Sequence, residues 1–278
     1  MSNNQLDLEQ CCPICETKSK HIFVSKHKRP VQQCVNDICG HFFTQITKQN
    51  QGVCERDENL ERTSDESLTT FDERNVNLLN LFNGYLGNTQ KPIKFLDFGA
   101  GNAHISRTFK RVLKNDCIIY CLEPNPLCAG FYPKYELIQV KSIDEVPEKI
   151  DFIYMIEVIE HLDDPIAVLK KLKSILKPEG VIFISTPLGK SIESSTNAYD
   201  TQSHIHFFTM KSLNLTLKKA GFTEIKYQYY PQMYPLPLKS KLLQRTIGIA
   251  KSIVHSLLAA TGSQKAINHL VGLTKKLD

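Results

Sequence analysis

The sequence predicts an α/β protein, built on a doubly wound and mostly parallel sheet, with a small N-terminal metal-bound ribbon and a C-terminal helical tail. Three observations predict it. Short apolar runs alternate with amphipathic segments, in the order IKFLDF, HISRTFKRVLK, CIIYCLE, YELIQV, DFIYMI, PIAVLKKLKSIL and GVIFIST; strands joined by helical crossovers lie parallel. The run from Phe95 to His104 reads as a strand, a glycine turn and the start of a helix. Five of the nine cysteines fall within residues 11–43, a stretch with too few aliphatic residues to build its own core.

With 278 residues, 41% of them hydrophobic and 23% charged, the chain has material for one catalytic domain and a small appendage, and disorder is excluded as its main character. The start, MSNNQLDLEQ, has no apolar h-region, and no run approaches the roughly 18 uncharged apolar residues of a membrane span. A cytoplasmic location and reduced, metal-ligating cysteines are therefore expected. The net charge of +5 is mild, yet Ile225 to Leu277 carries only basic charges.

In chain order, residues 10–45 form the expected zinc-ribbon module and the polar stretch 46–70 a linker. Residues 71–231 form the main domain, opening with a helix from Phe71 to Leu86 and closing with a helix from Met210 to Ala220 and a strand from Thr223 to Tyr229. Residues 232–278 are expected as a basic amphipathic helical tail, with a helix from Lys241 to Ala260 whose apolar face includes Leu243, Ile247 and Val254. No seventh strand is assignable after Tyr230.

Cys12, Cys15, Cys34 and Cys39 stand as C-x2-C and C-x4-C separated by 18 residues. Two such knuckles on a short hairpin converge four thiolates, and four sulfurs leave no open coordination position, so structural zinc is expected rather than catalytic zinc. Cys11 or His41 could replace one ligand, and a redox dithiol is the alternative.

At the glycine turn, Asp97 precedes Gly99 and Gly101, and Ala103 stands where a dinucleotide site keeps a third glycine. An acid there repels a diphosphate and suits a ligand bearing an ammonium and a sulfonium. Glu123, at the end of the next strand, can accept from both ribose hydroxyls.

Together with EVIEHLDDP (157–165), KPEGVIFISTP (177–187) and HFFTMKSL (206–213), this run resembles class I S-adenosylmethionine-dependent methyltransferases, in the broad subfamily that includes ubiquinone-biosynthesis O-methyltransferases. The resemblance covers about residues 71–230, and several such relatives carry an N-terminal cysteine ribbon. It implies a seven-strand-type methyltransferase sheet and S-adenosyl-L-methionine as cofactor. It also implies Asp97, Gly99 and Gly101 around the methionine part, Glu123 on the ribose and Asp144 on the adenine, with a plain helix cap as the other reading of Asp144.

Glu157, Glu160 and His161 stand at i, i+3 and i+4, so on a helical turn they share one face. His204, or else His206, would supply a fourth ligand. The pattern resembles the metal site of small-RNA 3′-end methyltransferases and suits Mg, Mn or Zn; otherwise Glu160 and His161 anchor the loop, or His161 alone acts as base. Phe98, Tyr132 and Phe207 are expected in the apolar wall.

The expected activity is O-methylation of a small-molecule, glycan or lipid-linked acceptor. The rival readings are an RNA methyltransferase of the ribose 2′-O type, using Lys26, His27, Lys28 and Arg29 of the ribbon, and a binding scaffold without catalysis. The tail helix could also touch a membrane surface.

Overall fold

The computed structural model describes residues 10–25, 27–44, 75, 76, 78–80, 82, 89–189, 204–227 and 269–275. Two sheets organise them. The larger has seven strands: β4 (Ile93–Phe98), β5 (Cys117–Leu122), β6 (Ile138–Val140), β7 (Ile150–Ile156), β8 (Leu176–Pro187), β10 (Glu224–Tyr227) and β11 (His269–Lys275). Their spatial order is β10-β11-β8-β7-β4-β5-β6. The five strands from β8 to β6 run parallel, whereas β11 is antiparallel to both β8 and β10.

The order reverses between β4 and β7, and a crevice at the carboxyl ends of strands at such a point is where an open α/β sheet binds ligands. Both faces are covered, which is why β7, apart from Asp151, reads as a near-continuous apolar run rather than an alternating one. Helices α1 (His104–Leu113) and α2 (Phe131–Lys134) flank one face, and α3 (Pro165–Ile175) and α4 (Met210–Lys219) the other. Two N-termini are capped by side chains: Asp164 accepts from Ala167 N at 2.9 Å in front of α3, and Thr209 and Ser212 form a reciprocal capping box on α4.

The first core lies under α1 and is aromatic: Phe82, Phe95, Phe109, Phe152, Tyr154 and Phe183 pack together. Within the expected helix 71–86, residues 75, 76, 78–80 and 82 are helical, and Leu78, Leu79 and Phe82 are buried. Phe82 stacks on Phe152 with ring centroids 4.0 Å apart and meets Phe109 edge-on at 5.6 Å.

The second core, under α3 and α4, contains Leu96, Ile153, Leu169, Leu213 and Phe222 and continues into Cys12, Ile14 and Phe43. The cysteine module is therefore packed onto the main domain. Its own sheet has the order β1-β2-β3-β9, formed by the hairpin β1 (Ser19–Val24) and β2 (Pro30–Cys34), then β3 (Phe42–Thr44), and then β9 (His206–Phe207) contributed from the far end of the chain.

Two expectations meet a different outcome. Inside the segment assigned to the tail, His269–Lys275 is a strand, inserted between β10 and β8; it supplies the seventh strand, which the sequence hid because HLVGLTK is short and follows a long gap. Residues 157–161 do not form a helical turn. Glu157 has φ +57°, and only Ile159–His161 closes a 3-10 turn. The linker 46–70 and the helix expected over 241–260 lie outside the described residues.

Replacing Phe82 with Ala should leave a cavity against Phe109, Phe152 and Phe183, lowering stability by about 3 to 5 kcal/mol. Urea unfolding of the full chain measures it, and a loss below about 1 kcal/mol would mean that this helix does not anchor the aromatic core.

Candidate functional site

The turn after β4 is held from three sides. Gly99 has φ +79°, and a Cβ on it would lie 2.3 Å from Val158 Cγ2, so no side chain fits there. Gly101 has φ +51° with nothing within 4 Å of where its Cβ would be, so open space lies above it. The two glycines thus do different work: the first admits the loop after β7, and the second supplies a left-handed backbone conformation beside open space. Gly99 N and Ala100 N both donate to Leu122 O, at 2.8 and 3.1 Å.

Glu123 faces this turn. Its Oε2 accepts from Gly101 N at 2.8 Å and its Oε1 from Asn125 N at 2.9 Å, which fixes the carboxylate plane while leaving lone pairs on both oxygens. Tyr132, fully buried, donates from its hydroxyl to Gly101 O at 2.7 Å.

Asp97 turns under α1 rather than into the open space. Its Oδ2 accepts from Ser106 Oγ at 2.6 Å, and the Tyr154 hydroxyl bonds to the same Ser106 oxygen. Burial pushes the Asp97 carboxyl up to about 7, with the Glu123 charge adding to the rise and the Ser106 bond opposing it. Asp144 is exposed and pairs with Lys171 Nζ of α3 at 3.3 Å; the Ile143–Glu145 turn has Ser142 at its N-cap, with no side-chain cap, so Asp144 caps nothing.

Next to the turn, across Val158, lies an acidic and imidazole cluster. The ligand atoms of Glu160, His161 and His204 all fall within 4.8 Å of one another. Glu160 is 1% exposed. Its Oε2 accepts from Thr186 Oγ1 at 2.9 Å, whereas its Oε1 has no hydrogen-bond partner and stands 3.9 Å from His204 Nε2. Burial and the nearby Glu157 charge hold the Glu160 carboxyl well above the usual range. A buried carboxylate with one orphaned oxygen facing two imidazoles fits a divalent cation.

Glu157 is not part of that group. Its Oε1 accepts from Ser185 Oγ, and its N donates to Ser185 O at 2.9 Å. Ser185 and Thr186, which orient both acids, escaped the sequence reading; the signal was the polar pair closing the otherwise apolar run GVIFIST. His206 is also outside the cluster. It is buried, pushed down to about 4 by desolvation, and bonded to His41 at 3.0 Å. Phe98 lies in the second core; Phe207 packs with Val31 and Phe42 of the small sheet, and its ring centroid lies 6.4 Å from that of His204.

The four cysteines of the ribbon converge. Cys12 Sγ and Cys39 Sγ are 3.8 Å apart, Cys15 Sγ and Cys34 Sγ 3.3 Å, and all four lie within 4.8 Å. Tetrahedral zinc with bonds of about 2.3 Å needs sulfurs about 3.8 Å apart. Ile14 N and Asn36 N each point at a sulfur, Cys12 and Cys34 respectively, at 3.4 Å, as knuckle amides do. Cys11 is exposed and lies outside the set.

A cavity of about 430 Å³ lies on the outer side of α1, lined by Arg107, Lys110, Arg111, Lys114, Lys134 and Tyr135 among others. It contains none of the predicted site residues. The Arg107 guanidinium lies 4.0 Å over the Tyr135 ring.

Comparison with known proteins gives the following. A family model described as a methyltransferase domain matches residues 72–227. The tRNA U34 carboxymethyltransferase of Nautilia profundicola is 31% identical over 98 residues, 34% of this chain and 33% of that protein. The ubiquinone biosynthesis O-methyltransferase of Histophilus somni is 32% identical over 112 residues, 36% of this chain and 46% of that protein. The chain thus spans between a third and a half of the length of these curated relatives. A SAM-dependent methyltransferase from Archaeoglobus fulgidus superposes with a TM-score of 0.52 at 18% identity, over 80% of this chain and all of that one, which shows the fold.

Asp97 carries a stability prediction. Burial holds it at about 7, above the ordinary value of 3.8, so its protonated form contributes stability that is fully present below about pH 4 and lost as pH rises to about 7. Asp97→Asn should flatten the pH dependence of stability between pH 4 and 7, a change of a few kcal/mol in urea titrations. Parallel curves for the two proteins across that window would show that Asp97 is not the group.

Proposed function

The chain belongs to the methyltransferase-domain family, and from that premise we propose that it transfers the methyl group of S-adenosyl-L-methionine to a hydroxyl oxygen on an acceptor held by a divalent cation. The acceptor class that fits best is a small molecule with two neighbouring oxygens, a catechol or vicinal diol. One observation carries this reading: the buried Glu160 Oε1, without a partner, faces His161 and His204 beside the glycine turn.

The residues around the turn suit the cofactor. Gly101 leaves open space over the backbone, and Glu123, fixed by Gly101 N and Asn125 N, can accept from ribose hydroxyls. Asp97, two residues before Gly99 and buried under α1, would supply acidic character near a ligand that carries positive charge. Asp144 is assigned the adenine by resemblance alone. The cofactor supplies the electrophilic methyl carbon; the chain supplies alignment, and positioning of this kind can account for most of the rate.

At the acceptor side, Glu160, His161 and His204 would hold a Mg, Mn or Zn ion, with Glu157 held back by Ser185. Such an ion lowers the pKa of a bound hydroxyl and orients it. In the alternative in which the cluster acts without metal, His161 would take the hydroxyl proton. Cys12, Cys15, Cys34 and Cys39 would hold one zinc as a structural site, since four sulfurs leave no position for substrate.

A second reading is RNA as acceptor, as a ribose 2′-O methyltransferase. The basic cavity on α1 favours it, since Lys and Arg neutralise phosphates and Arg stacked on Tyr is a surface on which nucleic acid binds. The relative from Nautilia profundicola is named for tRNA. Binding that weakens steeply with salt would favour RNA over a small acceptor. Among the described residues, no helix is long and apolar enough to cross a membrane.

Two measurements test the proposal. Glu160→Gln and His204→Ala should each lower methyl transfer by about 100-fold while leaving the affinity for S-adenosylhomocysteine within about threefold; full activity of both variants, or of the protein in EDTA, rejects the cation. The purified protein should contain one zinc per chain, lost in Cys34→Ser, and a zinc-free protein with freely titrating cysteines rejects the ribbon.

A further inference from the structure

The cysteine module and the acceptor cluster are joined along two parallel routes. The first is backbone. β3 runs antiparallel to β9, pairing Phe42 with Phe207 and Phe43 with His206. Thr44 N donates to Ile205 O at 3.0 Å, and Ile205 N donates to Glu160 O at 3.0 Å. Ile205 therefore bridges the last strand of the module to the turn that carries Glu160 and His161. The residue immediately before it is His204.

The second route is made of side chains. His41 Nε2 lies 3.0 Å from His206 Nδ1, and His206 Nε2 lies 2.9 Å from Leu162 O. A carbonyl oxygen only accepts, so His206 Nε2 carries the hydrogen. Its Nδ1 is then the acceptor of a neutral ring, and His41 Nε2–H donates to it. The chain of donors runs from the residue two positions after Cys39 to the residue directly after His161. Both imidazoles are buried, at 0% and 2% exposure.

His41 is an expensive residue at this place. Its Nδ1 is buried with no hydrogen-bond partner, and its ring sits against Phe208 at 4.9 Å and parallel to Phe43 at 6.1 Å. A phenylalanine would fill that slot and remove the unsatisfied Nδ1, at the cost of the donor to His206 Nδ1. What the imidazole adds is its Nε2–H, directed at His206.

We propose that the cysteine module is a working part of the acceptor site, in which His41 and His206 are positioning residues. They hold His204 and the Ile159–His161 turn in the arrangement that ligates a cation, and the folded cysteine cluster sets the place of His41. The proposal rests on the acceptor-site reading above. It assigns to the ribbon a task beyond its own folding: the order of its four cysteines governs cation affinity more than 160 residues further along the chain, at His204.

The test uses the full-length, zinc-loaded protein, with Mn2+ as the probe cation, S-adenosylhomocysteine as the cofactor probe, and deuterium exchange over residues 158–164 and 204–208. His41→Phe should weaken Mn2+ binding about tenfold or more and speed exchange in both segments, with zinc content and S-adenosylhomocysteine affinity unchanged. His41→Gln, whose amide restores a donor, should stay within about threefold of the wild type. Equal Mn2+ affinity and equal exchange in wild type and His41→Phe would overturn the proposal. Should His41→Phe fail to fold, zinc is removed from the wild-type protein with a mercurial: loss of Mn2+ binding with retained S-adenosylhomocysteine binding supports the proposal, and retention of both overturns it. A wild-type protein that binds no Mn2+ defeats the acceptor-site reading itself, and the exchange rates then decide the positioning role by the same two outcomes.

Discussion

The contact on which the site depends is the one between Gly99 and Val158. A methyl at position 99 would overlap Val158 Cγ2 at 2.3 Å, so the turn after β4 and the loop after β7 can meet only because one residue has no side chain. That approach brings the open space over Gly101 and the Glu160, His161 and His204 cluster onto neighbouring strand ends. It also explains the backbone of Glu157, whose φ of +57° bends the chain out of β7 and over the glycine turn; such a conformation in a non-glycine residue persists only when its surroundings enforce it. Ser185, which bonds both the main chain and the carboxylate of Glu157, is that enforcement.

Around this contact the acids are sorted by what surrounds them. Glu123 is held by two backbone amides, which suits an ionised carboxylate that must stay in one plane. Asp97 and Glu160 are buried, and burial raises both. Asp97 is satisfied by Ser106 from beneath α1, whereas Glu160 keeps one oxygen unsatisfied. In a low-dielectric setting an orphaned carboxylate oxygen costs free energy unless a proton or a cation meets it. The site thus separates an acid that supports the turn from one that awaits a charge.

Much of this was legible in the sequence. The parallel order of strands follows from the alternation of apolar and amphipathic runs, the cysteine spacing predicts a four-sulfur cluster, and Gly99, Gly101 and Glu123 meet at one turn as the motif suggests. Other parts depend on distant residues and leave no local signal. The i, i+3, i+4 spacing of Glu157, Glu160 and His161 suggested a helical face; the chain bends at Glu157, which is left with Ser185, while Glu160 and His161 meet His204 as the sequence predicts. The strand His269–Lys275 pairs with β8 and β10 across a long stretch of chain, and β9 is two residues long, below the length at which a periodic pattern can be read. The ribbon looked like an appendage because its tie to the domain is a pair of histidines and two strand residues far apart in sequence.

The most direct measurement is diffraction from crystals grown with S-adenosylhomocysteine and Mn2+, with data collected at the manganese and zinc absorption edges. The account predicts S-adenosylhomocysteine over Gly101 with its ribose on Glu123, manganese at about 2.1 Å from Glu160 Oε1 and from nitrogens of His161 and His204, and zinc among Cys12, Cys15, Cys34 and Cys39. S-adenosylhomocysteine in place with no manganese signal between Glu160 and the two histidines would contradict it.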